Sequence, residues 1–531
     1  MLNLLLFSCA RVGAPNGGTR DSLAPKFLGS NIDTTRLNVS RTVKELRLDF
    51  DEYVMLKDFN KNFNVSPPIK KIKKVIPSNL ANKYVLIQWE DTLQANTTYN
   101  FNFGNAIVDN NESNPLPYFN FAFSTGDKID DLFVSGTVKD AMTLIKENQT
   151  AKDNKMVVGL YKAGENLDYK QKPDYITKVD EENYFELNFL PKGEFVIIAF
   201  DDENQNSVYD AGKEKVSFLK EKITLDSTSV RGLKLKLYPS KKVVKYKESK
   251  AINGGLLMTF EGNPETVEVK SLSEELKDFK VTHAKRSDSV NIWFDAEKSN
   301  LGGTVSKQVK LSYFTPTISD TISVSYKAVK DEFKLSNEAG NLIAPENNFV
   351  INTSLPIENL NTSSWKLESD SIAQDFTAKI SEKNPFKILV NSSFKPTKKY
   401  VLTIPKETVS SYYSSNDKSF QFQFEIDKPE NYGSFTAVIK NKPTAKFWVE
   451  LTNEKGEILY SQFTNASEVS FKNLKPATYI ARIRVDNNGN GFWDEADFAQ
   501  NIAAEDVYIF EKEINVRPLW EIKEDWELTN R

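Results

Sequence analysis

The feature that most constrains the fold is an alternation of apolar and polar residues with a period of two. Leu46-Arg47-Leu48-Asp49-Phe50 and Tyr99-Asn100-Phe101-Asn102-Phe103 place large apolar side chains at i, i+2 and i+4. Such a pattern buries one face of a strand and leaves the other polar. Tyr84-Val85-Leu86-Ile87 reads as a further strand. Turn clusters separate these runs at intervals of about ten residues, the spacing of an all-β sandwich. A helical period sustained over a dozen residues is not found in the sequence. The chain has 531 residues, which at ~150 residues per domain suggests roughly three to five domains. A hydrophobic fraction of 39% fits several small β domains better than one large enzyme core. The expected fold class is all-β, as a tandem of β-sandwiches.

Two single residues exclude much chemistry. His283 and Cys9 are the only histidine and cysteine, so a two-histidine zinc site and a four-cysteine cluster cannot form. A cysteine–histidine catalytic pair would require those two residues to meet. With 69 basic and 73 acidic residues the net charge is −4, which lacks the basic footprint of nucleic-acid binding. The sequence has neither a glycine-rich phosphate loop nor a G-x-S-x-G elbow. Carboxylates that could serve glycoside hydrolysis lie near one another at Asp49/Asp51/Glu52, Asp130/Asp131 and Glu181/Glu182. Charged residues on the wet face of a sandwich are the commoner case, and no catalytic residue is assigned. His283, in Val281-Thr282-His283-Ala284-Lys285-Arg286, reads as a surface histidine.

At the N-terminus, Leu2 to Phe7 is an apolar run interrupted by Asn3 and followed by Ser8-Cys9. It is far shorter than the ~18–20 residues of a membrane span and resembles the end of a signal peptide. Leu6-Phe7-Ser8-Cys9 resembles a bacterial lipobox, in which the cysteine after a small residue is lipidated and becomes the mature N-terminus. The run departs from that pattern in its short apolar stretch and in lacking a basic n-region, and a translation start further upstream would account for both. Ala10-Arg11 follows Cys9 rather than an aspartate, which by the lipoprotein sorting rule implies the outer membrane, with the side of it left open. Residues 10–25, with Gly13, Pro15, Gly17, Gly18 and Pro25, read as a flexible tether.

Two internal repeats organise the rest. Leu93-Gln94-Ala95-Asn96-Thr97-Thr98-Tyr99 matches Phe394-Lys395-Pro396-Thr397-Lys398-Lys399-Tyr400 in spacing, each between strand-like runs. With Phe50-Asp51-Glu52-Tyr53-Val54 and Phe119-Asn120-Phe121-Ala122-Phe123-Ser124-Thr125, these segments resemble the bacterial Ig-like domain of S-layer and surface proteins. The resemblance covers about 26–127 and, more loosely, 331–428, where the second copy lacks the Phe-Asp-Glu stretch. The second repeat is sharper. Leu190-Pro191-Lys192-Gly193-Glu194-Phe195 and Leu474-Lys475-Pro476-Ala477-Thr478-Tyr479 are each followed, seven residues after the aromatic, by Asp202 and Asp486. Each Asp opens an Asn-rich loop, and Asp210 and Asp494 correspond at the same offset of 284. This unit resembles prealbumin-like or carboxypeptidase-regulatory β-sandwiches. The expected order is a signal and tether at 1–25, an Ig-like domain at 26–127 and a prealbumin-like domain at 128–240. A β domain of unassigned type follows at 241–330, then a second Ig-like domain at 331–428 and a second prealbumin-like domain at 429–531. Taken whole, the chain resembles Bacteroidetes cell-envelope lipoproteins.

The Asp486 loop carries the most specific chemical pattern. Counting Asp486 as position 1, Asn488 is 3, Asn490 is 5, Gly491 is 6, Phe492 is 7, Asp494 is 9 and Asp497 is 12. An EF-type calcium loop supplies oxygens from 1, 3, 5, backbone 7, 9 and 12, with glycine at 6. Calcium is therefore the expected ion, against the alternative of a turn whose Asn and Asp side chains satisfy backbone groups. The Asp202, Asn204, Asn206 and Asp210 loop matches less well, with Ser207 at position 6 and Lys213 at 12. Asp-Ser/Thr followed by a small or aliphatic residue or by Thr occurs seven times, with hydroxyls at Ser22, Thr34, Thr92, Ser227, Ser289, Thr321 and Ser371. Random placement would give about two. The pattern resembles the O-glycosylation acceptor of exported Bacteroidetes proteins, although Asp-Ser/Thr also starts strands after turns.

These readings lead to a non-enzymatic lipoprotein anchored in the outer membrane, a structural or binding module whose partner is an envelope protein or a glycan and not nucleic acid. Two other expectations stand beside it: a polysaccharide-binding or polysaccharide-active accessory protein, and a subunit of an envelope secretion or motility complex. Trp520 and Trp526, six apart, are the first aromatic pair to inspect for a glycan platform.

Overall fold

The computed structural model describes residues 21–144, 155–164, 167–329, 332–338 and 340–528. The chain is all-β: among the described residues the helices are the single turn Phe59–Asn62 and two short 3-10 turns at Pro429–Asn431 and Phe498–Gln500. It divides into two compact units. Of the described residues, those within 21–139, 155–210 and 216–237 form one, and those within 140–144, 211–215 and 238–528 form the other.

The first unit contains two sandwiches. In the N-terminal one, the strands Phe27–Ser30, Glu45–Leu56, Asn82–Trp89 and Ile72–Ile76 form one sheet in that order, and Asn64–Ser66, Thr98–Gly104 and Phe119–Ser124 form the other. The alternation in the sequence sets the faces. Leu46, Leu48 and Phe50 from one sheet and Phe101, Phe103, Phe121 and Phe123 from the other are buried together with Trp89. In the following sandwich, Tyr184–Leu190, Leu132–Asp140 and Val230–Leu237 oppose the sheet Tyr175–Lys178, Met156–Lys162, Gly193–Asp201 and Val216–Phe218. Its core gathers Val158, Leu160, Phe185, Leu187, Phe195 and Ile197.

The second unit holds three more cores. The segment 241–330, whose type the sequence left open, is an antiparallel sandwich. A four-stranded sheet (Lys245–Ile252, Gly255–Glu261, Ser289–Trp293, Lys280–His283) faces a three-stranded one (Glu268–Ser271, Lys307–Phe314, Ser319–Tyr326). The next core gathers Phe349, Ile351, Ile388, Val390, Tyr400 and Phe424, and Trp293 of the preceding sandwich is buried in it as well. The last sandwich packs Glu468–Leu474, Gly433–Lys440 and Glu521–Glu527 against Ile458–Thr464, Phe447–Thr452, Ala477–Val485 and Val507–Val516. Its final strand lies parallel to its first, with Ser434 opposite Glu521 and Lys440 opposite Glu527.

Both repeats correspond to repeated structure. In the two tyrosine corners the hydroxyl accepts a hydrogen bond from the backbone N–H five residues earlier: Tyr99 from Gln94 and Tyr400 from Lys395, each at 2.8 Å. Such a corner fixes where the chain turns between sheets. In the sharper repeat, Tyr184–Leu190 corresponds to Glu468–Leu474 and Gly193–Asp201 to Ala477–Val485, both at the offset of 284, within sheets of the same strand order. Even the exceptional backbone angles coincide. Phe189 and Asn473 have φ of 60° and 52°, Gln205 and Gly489 of 58° and 71°, and Ser207 and Gly491 of 61° and 80°. The turn thus demands the left-handed region at position 6, where glycine is unstrained, and Ser207 adopts it nonetheless.

Candidate functional site

The two Asp-Asn loops leave the ends of equivalent strands and share one hydrogen-bond pattern. Asp486 is 3% exposed. Its two carboxylate oxygens accept the N–H groups of Asn490 and Gly491, each at 3.0 Å. Asn488 Oδ1 accepts from Asn490 N–H at 3.0 Å and Asn490 Oδ1 from Phe492 N–H at 2.7 Å. The amides of Asn488 and Asn490 both donate to Asp494 Oδ2. In the first loop Asp202 accepts from Asn206 and Ser207 at the same 3.0 Å, and Asn204 donates to Asp210 at 2.6 Å. A buried carboxylate satisfied by backbone N–H groups is a strong local lock, because charge-assisted bonds exceed neutral ones.

Each loop also faces a cation distant in sequence. Lys178 is attracted to Asp202, although burial pulls its ammonium pKa down. Asp494 meets Arg286 of the middle sandwich: Nη1 donates to Asp494 Oδ1 at 2.6 Å, while Nε donates to Glu265 at 2.5 Å. The same guanidinium lies 4.7 Å from the centre of the Phe492 ring. Burial alone would raise the Asp494 pKa, but the amides of Asn488 and Asn490 and the Arg286 charge hold it below the usual carboxylate value. A depressed folded-state pKa means that the contact contributes stability above the unfolded carboxylate pKa and loses it as pH falls through the lower folded value. Alongside, Ala496 N–H donates to Pro239 O at 3.1 Å and Lys241 N–H to Ala496 O at 2.8 Å. The loop is thus a seat for the middle sandwich and its connector.

Glu505, which sequence spacing did not single out, completes this loop. It is 6% exposed, and its carboxylate accepts the N–H groups of Asn488 at 3.2 Å and Asp494 at 3.0 Å. Burial nevertheless leaves its pKa raised. Asp497 caps the following 3-10 turn, accepting from Gln500 N–H at 3.2 Å. Among the described residues no three Asp, Glu, His or Cys side chains gather so as to hold a metal ion. As arranged, the oxygens at 486, 488, 490 and 494 serve N–H groups and Arg286, so a cation would have to displace Arg286 from Asp494. A further Asp-Asn loop, Asp109 to Asn114, also escaped the sequence reading. Asp109 accepts the N–H groups of Asn111, Glu112, Ser113 and Asn114 at 2.7–3.1 Å.

The second candidate is a cleft of about 860 Å³ within the first unit. Its floor is the outward face of the sheet 64–66, 98–104 and 119–124. Register places Asn64 opposite Asn102 and Asn102 opposite Asn120, with Asn100 opposite Ser66. The alternate positions Val65, Phe101, Phe103 and Phe121 supply the core, so the period of two that builds the sandwich also builds a ladder of amides. The strands Tyr175–Lys178 and Tyr184–Leu190 form the opposite wall, and Ile176 N–H donates to Ser66 Oγ at 3.2 Å. Asn100 is 8% exposed, and the buried side-chain oxygens of Asn64, Asn100 and Asn120 have no hydrogen-bond partner. Tyr118 and Tyr184, 68% and 39% exposed, belong to the same lining.

The other expected residues are scattered. Cys9 lies outside the described residues. Ser22, Thr34, Thr92, Ser227, Thr321 and Ser371 are exposed, Thr321 within a strand, and Ser289 is half-buried at a strand start. Trp526 is buried in the last core, whereas Trp520 is 48% exposed and precedes the strand Glu521–Glu527, so the two do not make a platform. Among the carboxylates, Asp49 pairs with Arg47 at 2.8 Å and Asp130 accepts from Thr98 at 2.9 Å. Glu181 and Glu182 line the cleft. The half-buried His283 donates from Nε2 to Ser287 O at 3.0 Å.

The stretch that carries the first tyrosine corner and the amide ladder also carries a family match. Residues 21–125 match the bacterial Ig-like domain family. No curated protein matches the chain. Among solved structures, the chain is similar to domains 1–6 of the surface layer protein SbsC, at 11% identity over 93% of this chain and 67% of that one, with a TM-score of 0.15. The major pilin subunit BcpA of Bacillus cereus is 11% identical over 75% of this chain and 99% of its own, with a TM-score of 0.14. SGBP-B of the Bacteroides ovatus mixed-linkage glucan utilization locus, solved with a mixed-linkage heptasaccharide, is 10% identical over 74% of this chain and 97% of its own, with a TM-score of 0.20.

Proposed function

We propose that this chain is a non-enzymatic module of the bacterial cell envelope, structural or binding in role, held at the outer membrane by lipid on Cys9. The observation that carries the structural part is the seat between Arg286 and Asp494: the loop with the most chemical promise is committed to locking one sandwich to another. Beside that, the Ig-like match at 21–125 gives the reading its bacterial-surface setting. No helix among the described residues is long and apolar enough to cross a membrane. In this proposal a lipid on Cys9 supplies the attachment, since each buried CH₂ contributes ~0.8 kcal/mol and two acyl chains suffice for stable anchoring.

Mass spectrometry of the protein purified from its native host, together with membrane fractionation, tests this. The expected result is a diacylglyceryl mass on Cys9, hexose on acceptors such as Ser22 or Thr34, and release of Cys9→Ser into the soluble fraction. An unmodified Cys9, or a Cys9→Ser variant that still sediments with membranes after a high-salt wash, overturns the anchor. A mass equal to the lipidated polypeptide alone removes the glycosylation.

Calcium at the Asp486 loop belongs to the same proposal, with Arg286 as its competitor. Calorimetric titration of the full chain with calcium should show affinity at least tenfold tighter in Arg286→Gln than in the wild type, because Asp494 is then freed. Absence of binding heat in both proteins would leave the loop as a turn and a seat for Arg286, without a metal.

A further inference from the structure

We infer that the asparagine-lined cleft of the first unit binds a neutral oligosaccharide. Buried acceptors without partners are uncommon in folded proteins and call for a reason, and here three of them, on Asn64, Asn100 and Asn120, share one cleft. Each carboxamide offers an acceptor and two donors. Sugar hydroxyls both donate and accept, so a row of hydroxyls can pair with the amide ladder where a ligand with one kind of polar group would satisfy only half of it. The exposed rings of Tyr118 and Tyr184 give the apolar faces of pyranose rings a surface to stack on. The volume of about 860 Å³ lies within the ~300–1,000 Å³ of small-ligand sites.

Charge favours a neutral ligand. Lys57, Lys61 and Lys178 line the cleft together with Asp58, Asp180, Glu181, Glu182 and Glu186, so the lining carries both signs with an acidic excess: an anion is disfavoured, and a cation meets lysines among the carboxylates. Water could satisfy the same oxygens, and a water-filled seam is the competing outcome. The inference does not depend on lipidation at Cys9, so each can fail while the other stands.

The test is calorimetric titration of the full chain with cellohexaose, xylohexaose, mannohexaose and maltohexaose, with Tyr118→Ala and Asn100→Ala as variants. Saturable binding of at least one oligosaccharide is expected, weakened tenfold or more by each variant. The thermal midpoint of the free Asn100→Ala chain should be unchanged or higher, because the removed oxygen has no partner to lose. Tyr118, with its exposed side chain, keeps the test valid should Asn100→Ala fold poorly. Absence of saturable binding by all four at millimolar concentration, or binding that neither variant weakens, overturns the inference and leaves a water-filled seam.

Discussion

Glu450→Ala is expected to destabilise the last sandwich by about 3–5 kcal/mol, the usual consequence of removing one partner from a buried ion pair. Glu450 is fully buried on the strand Phe447–Thr452. Its Oε2 accepts from Arg482 Nε at 2.9 Å and Nη2 at 2.7 Å, and its Oε1 accepts from Arg484 Nε at 3.0 Å. The side chain of Arg482 is 8% exposed and that of Arg484 24%. Without the carboxylate, two guanidinium groups would share a poorly hydrated site with no anion between them. Arg484 also lies over the Trp448 ring at 5.9 Å, and Trp448 stacks on Phe463 at 4.4 Å, so disturbance should spread along that face. Hydrogen exchange in the strands 447–452 and 477–485 reads the effect locally. Replacing Glu450, Arg482 and Arg484 together by leucine should recover part of the loss, since apolar substitution of a whole buried ionic group is often tolerated. A loss under about 1 kcal/mol in Glu450→Ala would show that water reaches the site.

Asp486→Ala is expected to cost about 2–4 kcal/mol even in the presence of a chelator, because hydrogen bonds to a charged group contribute ~1.5–3 kcal/mol each. The substitution strands the Gly491 N–H, leaves the Asn490 N–H with Asn488 Oδ1 alone, and loosens the turn that presents Asp494 to Arg286. Asp202→Ala should cost a similar amount in chelator, since its two bonds have the same lengths. The two loops should differ in the calcium-dependent part of the effect and in the Arg286 contact of the Asp486 loop. Equal unfolding profiles for wild type and Asp486→Ala in chelator would mean that the backbone angles at Gly489 and Gly491 hold the loop unaided.

The sequence made legible what is decided within about twenty residues. The period of two in Leu46–Phe50 and Tyr99–Phe103 identified buried and polar faces correctly, since adjacent side chains of a strand must point opposite ways. The corners at Tyr99 and Tyr400 and the loops at Asp202 and Asp486 were visible because their hydrogen bonds join near neighbours. Contacts between distant segments were not legible. Nothing in Val281–Arg286 marks Arg286 as the partner of Asp494, 208 positions away, and nothing before Val507 marks Glu505 as the closure of the loop. The polar partners of the Phe101 and Phe103 pattern read as an ordinary wet face, because the wall that turns them into a cleft comes from the strands at 175–178 and 184–190. Trp520 and Trp526, six apart, would share a face only if one strand held both; the strand begins after Trp520.

The parallel pairing of Gly433–Lys440 with Glu521–Glu527 has a consequence for how the chain is made. The central strand of that sheet emerges first and one of its two neighbours last, with most of the sandwich synthesised in between. Until residue 527 is available, one edge of Gly433–Lys440 has open N–H and C=O groups, and Trp526 is missing from the core. An open edge is a template for another chain, so products cut short inside this sandwich should aggregate or be degraded. An intact chain carries, in its closed last sheet, proof that translation ran at least that far.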